Sequence, residues 1–172
     1  GPSGRAALAT TQHSRGPSTA ERIEDMAKEK GPERIKNMVE VLRTWQGLER
    51  DALNTTAEVI ENTENPLIRM IMEIIRHDSL MHHRVQQFLI DSVTRENVVV
   101  TREDVAAIWE QVEKHDATEK ATIKLAEELR EKAFSPVHKQ LLDYLLTDEK
   151  KHDSLLGALN EIKVGMSKSS GG

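Results

Sequence analysis

The sequence predicts an all-α fold, a bundle of four long helices made from two antiparallel hairpins and preceded by one short helix. Three observations lead there. Apolar residues recur in steps of three and four rather than in alternation from about residue 33 to 163. Helix-starting residues recur where each long segment must begin: Gly31-Pro32, Asn65-Pro66, Thr101 and Ser135-Pro136. An acid–histidine pattern also occurs twice. Glu49 lies 33 residues before His82 and Glu119 lies 33 before His152, with Asp78 and Asp148 each four residues before the histidine of their half. If each half is a helical hairpin, four acids and two imidazoles can meet, which is a ligand set for a two-metal centre inside a helix bundle.

Composition sets the bounds. The 172 residues are enough for one domain with a real core. There is no Cys, so a disulfide framework, a thiolate metal site and a redox dithiol are excluded, and any metal must be held by oxygen and nitrogen. The net charge of −5, with acids and bases interspersed, speaks against a nucleic-acid partner. No apolar run is long enough to span a membrane.

The ends read as tails. Residues 1–18 are polar and mostly small, and the first acid comes only after them. The opening Gly-Pro fits a cloning remnant, and an acid-free basic start also fits the remnant of a targeting segment. The expected location is cytoplasmic, or an organelle if the tail is such a remnant. Ser18 or Thr19 can cap a short helix over 19–30, which Gly31-Pro32 ends. The ordered bundle is expected over 19–163, with a flexible tail at 164–172.

The first long helix runs from Glu33 to about Asn62. Ile35, Val39, Leu42, Gln46, Glu49, Leu53, Thr56 and Ile60 fall on one face, which puts Glu49 in mid-stripe. A border carboxylate reaching solvent is the plain alternative for that residue. The second helix begins at Pro66, and its stripe is Ile68, Ile71, Ile75, Asp78, His82, Val85, Leu89 and Val93. Asp78 and His82 are one turn apart and can touch one ion, or can simply form an ion pair on a core face. The residues around 94–101 form the connection, which spans at most ~27 Å when extended. Arg95-Glu96-Asn97 and Val98–Val100 read as an extended strap.

Thr101 caps the third helix with Asp104 three residues on. Its stripe is Val105, Ile108, Val112, His115, Glu119, Thr122, Ala126 and Leu129, with His115 and Glu119 as the central polar exceptions. Ser135 and Pro136 start the fourth helix, whose stripe is Leu142, Leu145, Glu149, His152, Leu156 and Leu159. Four helices thus place their stripe-breaking acids and histidines near mid-length. Burying such a set without a cation would cost many kcal/mol, so a metal pair is the expected neutraliser. His115 reads either as a further ligand or as a histidine hydrogen-bonded to a ligating carboxylate.

These residues resemble the ferritin-like superfamily, and within it the rubrerythrin-like branch, over roughly residues 33–163. In that family the first helix gives a Glu, the second a Glu-x-x-His, the third a Glu and the fourth a second Glu-x-x-His. Glu49 matches the first, Glu119 in TEKATIKLAEEL the third, and Glu149 with His152 in LLTDEKKHDSLL the fourth. The second motif departs: MEIIRHDSLMHH has Ser79 where the Glu belongs, with Asp78 as its substitute. The resemblance implies a crossover between the second and third helices, with simple up-down-up-down packing as the alternative. It implies a metal set of Glu49, Asp78, His82, Glu119, Glu149 and His152, with His115 and Asp148 as further candidates.

The expected cofactor is a pair of iron ions, with manganese or zinc also compatible with carboxylate and imidazole ligands. The expected function is that of a non-haem di-iron carboxylate protein, a ferroxidase or a peroxide- or O2-reducing oxidoreductase. Its partners would be metal ions and O2 or peroxide, and it would be a homo-oligomer, at least a dimer. No catalytic residue is expected beyond the metal centre. The alternatives are an iron-storage or metal-binding module without turnover, and a helical interaction domain with vestigial ligands. The two halves are not equivalent: Asp78-Ser79 stands where the second half has Asp148-Glu149, and Trp45 where it has His115. The weaker metal position is therefore expected at His82.

Overall fold

The computed structural model describes residues 31–95 and 98–168. Among the described residues there are four α-helices and no strand: α1 (Pro32–Asn62), α2 (Pro66–Thr94), α3 (Arg102–Lys132) and α4 (Pro136–Lys168). The expected short helix over 19–30 with its Ser18 or Thr19 cap lies outside the described residues. So do the tail 1–18, Glu96 and Asn97 of the strap, and 169–172. No helix among the described residues is long and apolar enough to cross a membrane.

Local chemistry explains each helix start. Gly31 precedes α1 with φ +73°, a left-handed conformation that glycine adopts without strain, and Pro32 supplies a first-turn residue that has no N–H to satisfy. Asn65 Oδ1 accepts from the backbone N–H groups of Leu67 and Ile68 at 3.0 and 3.2 Å, capping α2. Thr101 and Asp104 close a full capping box on α3: Thr101 Oγ1 accepts from the Asp104 N–H, and Asp104 Oδ2 accepts from the Thr101 N–H. α4 begins at Pro136 and runs to Lys168, so residues 164–168, expected in the tail, are helical. One contact anchors that extra turn to the far end of α3: Arg102 Nη2 donates to the Met166 carbonyl at 2.6 Å.

The chain divides between Val98 and Val99 into two compact units, each one helical hairpin. In the first, Arg43 meets Gln87, Gln46 meets the His83 carbonyl, and Glu49 meets His82. One number rises as the other falls, so α1 and α2 are antiparallel. In the second, Arg130 pairs with Asp143, Glu127 with Lys150, and Glu119 with His152, so α3 and α4 are antiparallel as well.

The seams are narrow and unusually polar. Leu42 and Ile90 are the buried hydrophobic residues of the first hairpin, beside buried Gln46, Glu49, Thr56, Ser79 and Gln86. The second buries Val105, Ala126 and Glu119. On α1 the buried face is the one the periodicity predicts. On α2 it is rotated by one residue: Ser79, Gln86 and Ile90 are buried, while His82, Val85 and Leu89 are exposed and Asp78 is half-buried. The reason is that the apolar arc of α2 covers more than half of the helix, so its periodicity finds the centre of that arc and not the edge that meets α1. Small Ser79 and the amide of Gln86 fit the close approach to α1. Large side chains stay open on both hairpins, among them Trp45, Ile75, Val85, Ile108, Leu129 and Leu145.

Candidate metal centre

The second hairpin brings three of the predicted ligands together. One donor atom each from Glu119, Glu149 and His152 lies within 4.8 Å of the others. Glu119 comes from the middle of α3, while Glu149 and His152, one turn apart on α4, project the same way. His152 Nδ1 is 3.6 Å from Glu119 Oε1 and 4.0 Å from Glu149 Oε2. His115, one turn before Glu119, places Nε2 2.8 Å from the same Oε1, close enough to donate a hydrogen bond to it. Asp148, beside this group in sequence, is bridged instead by Lys151 Nζ at 2.6 Å.

The electrostatics of this group call for a cation. Glu119 is buried, and apart from a proton carried by Glu149 its Oε2 has no hydrogen-bond donor. A buried carboxylate oxygen without a partner is costly, and a proton or a metal ion are the two ways to match it. In the metal-free chain the proton is available. A hydrogen bond from Glu149 holds Glu119 below the ordinary carboxyl value, against the opposing effect of burial and with help from His152 and His115. The same hydrogen bond, with burial and the Glu119 charge, pushes Glu149 up. The pair therefore keeps one proton between the two carboxyl groups. Two carboxylates and an imidazole suit iron, manganese or zinc, so the residues present fit the expected metal.

The first hairpin repeats the core of this arrangement with fewer ligands. His82 Nδ1 is 3.3 Å from Glu49 Oε1, the same pair of atoms that meets between His152 and Glu119. Ser79 occupies the place of Glu149, and no three-residue ligand group forms around Glu49 among the described residues. Asp78 is half-buried, with His77 Nδ1 3.9 Å from its Oδ1. Glu49 is also approached by Gln86, whose Nε2 lies 3.4 Å from Oε1 and whose own Oε1 is buried without a donor. Sequence reasoning passed over Gln86. The available signal was its position one turn after His82, which puts it on the same side of α2. Gln46, which its spacing placed on the stripe of the first helix, is 1% exposed and donates to the His83 carbonyl and to Gln87 Oε1 while Arg43 donates to its own oxygen. That amide network fixes the register of the first hairpin.

No protein-family model, curated protein or solved structure matches this chain.

Proposed function

We propose that this chain is a metal-binding protein of the ferritin-like kind, with two carboxylate–histidine metal positions, one on each hairpin. The observation that carries this reading is the convergence of Glu119, Glu149 and His152, one donor atom each within 4.8 Å of the others, on a buried carboxylate. The repeated Glu–His contact in the first hairpin supports a second position. The exposed apolar residues of each hairpin are faces that a helix pair burying so little must cover.

In this proposal Glu119, Glu149 and His152 hold the tighter ion, and Glu49 and His82, with Asp78 turned inward, hold the weaker one. The proposed metal is iron, and a di-iron pair supplies oxidation of Fe(II) by O2 or peroxide. The protein's own part is to bind, orient and shield. His115, by donating to Glu119 Oε1, would hold that carboxylate in place for an ion. Glu149 gives up the proton it shares with Glu119 when an ion enters. Leu145, one turn before Glu149 on α4, would limit water on one side of the group.

Aerobic addition of Fe(II) to the full chain tests the reading. The expected result is a ferric absorbance in the near ultraviolet that Glu119→Ala abolishes. The proposal fails if no absorbance develops and neither Fe(II), Mn(II) nor Zn(II) raises the melting temperature.

A further inference from the structure

Helix α2 carries a third apolar face, distinct from the seam with α1 and from the side that bears His82. Met70, Ile74, His77, Met81, Arg84 and Phe88 follow one another in steps of four, three, four, three and four. That spacing draws a straight heptad seam along a helix. Ser79, Gln86 and Ile90, which face α1, lie on the opposite side of α2 from it. The apolar members are open: Met70 is 48% exposed, Met81 45% and Phe88 58%, and Leu80 on the edge of the seam is 50% exposed. Four large side chains along one helix edge make a patch of the kind that soluble proteins cover.

We propose that this face is a homodimer interface, in which α2 packs antiparallel against α2 of a second copy about a two-fold axis at the level of Ser79. The register follows from the residues themselves. An antiparallel pair sets each seam residue against one equally far on the other side of the axis. Met70 then meets Phe88 of the other copy, and His77 meets Met81. Ile74 lies under the stem of Arg84, whose guanidinium reaches Glu73 of the other copy. Each charged residue thereby gains an opposite charge, and each large apolar residue gains an apolar or amphipathic neighbour. Among the described residues, neither Glu73 nor Arg84 makes an ion pair within its own hairpin, so both are available. A parallel pair would stack Arg84 on Arg84 and take Glu73 away from that partner. The charge pattern therefore selects a second copy in the antiparallel sense. The inference is independent of the metal reading, since no seam residue is among its ligands.

The chain has no cysteine, which makes the register directly testable. Residues 70 and 88 are about 27 Å apart along one helix at ~1.5 Å per residue, too far for a disulfide within a chain. On mild oxidation the full chain carrying Met70→Cys and Phe88→Cys together is expected to give covalent dimers, and the chain carrying Phe88→Cys alone is not. In sedimentation velocity the unmodified chain is expected to be a dimer in the micromolar range, and Phe88→Glu a monomer with unchanged helical circular dichroism. Glu73→Arg and Arg84→Glu should each weaken the dimer by about tenfold or more, and the two together should restore it. A monomeric wild-type chain would overturn the proposal. So would crosslinking of Phe88→Cys alone as fast as the pair, or a double charge swap no better than either single change.

Discussion

Replacing Glu149 with Gln tests the most specific consequence of the site's electrostatics. In the metal-free chain Glu119 is held below the ordinary carboxyl value and Glu149 above it, so one proton stays between them over the intervening pH range. The linkage signs are opposite. Glu149, raised in the folded chain, stabilises below the ordinary value of 4.5 and loses that contribution as pH rises through its raised value. Glu119, lowered, stabilises above 4.5 and loses its contribution as pH falls through its lowered value. A divalent ion replaces the shared proton. Between 4.5 and Glu149's raised value, metal binding therefore releases one proton from this pair, and apparent affinity gains about one decade per pH unit from it.

The Glu149→Gln amide has no such proton and offers one neutral oxygen. The expected outcome is one proton fewer released per ion and an affinity lower by at least about tenfold to a hundredfold. Isothermal titration with Zn(II) or Mn(II) on the acid side of Glu149's raised value, in two buffers of different ionisation heat, reads both quantities. Equal affinity and equal proton release in the variant would refute the reasoning.

The remaining predictions concern the surroundings of the site and the frame. His115→Ala should leave the metal group in place but weaken binding by about ten- to a hundredfold, measured by the same titration, because Glu119 loses the donor that orients it. Thr101→Ala should cost about 1 kcal/mol of stability and lower Tm by a few degrees in a thermal melt. Asp104, lowered by its hydrogen bonds from Thr101, makes the cap acid-sensitive: its contribution is present above 3.8 and fades as pH falls through the lowered value, a dependence that Asp104→Asn should remove. Gln46→Ala should cost about 2–3 kcal/mol in denaturant unfolding, since it leaves a cavity in the first hairpin and strips donors from the His83 carbonyl and Gln87.

Much of this was legible in the sequence, and the exceptions have physical causes. The starts of α2, α3 and α4 coincide with Asn65-Pro66, Thr101 and Ser135-Pro136, because capping chemistry is local and short in range. Glu49 and Glu119 were readable as mid-stripe acids, since α1 and α3 each have a single apolar stripe that contains them. The contact face of α2 was not readable: its apolar arc is broad, so periodicity pointed to Asp78 and His82 near the middle of that arc, while the seam runs along its edge at Ser79 and Gln86. The extension of α4 to Lys168 was hidden because its anchor, Arg102 on Met166, joins residues at opposite ends of the hairpin's sequence that meet only once it has folded. Asp148 and Glu149 are adjacent in sequence, yet Lys151 bridges one while the other shares a proton with Glu119, a division that depends on side-chain direction.

The central claim is that the second hairpin holds the tighter of two ions, and metal retention by the full chain tests it most directly. After loading with Fe(II) or Zn(II) and dialysis, the predicted result is one retained ion per chain that is lost in both Glu119→Ala and His152→Ala. A second ion should appear only at higher free metal and vanish in His82→Ala. A chain that retains no ion, or retains one that is indifferent to residues 119 and 152, would contradict the account.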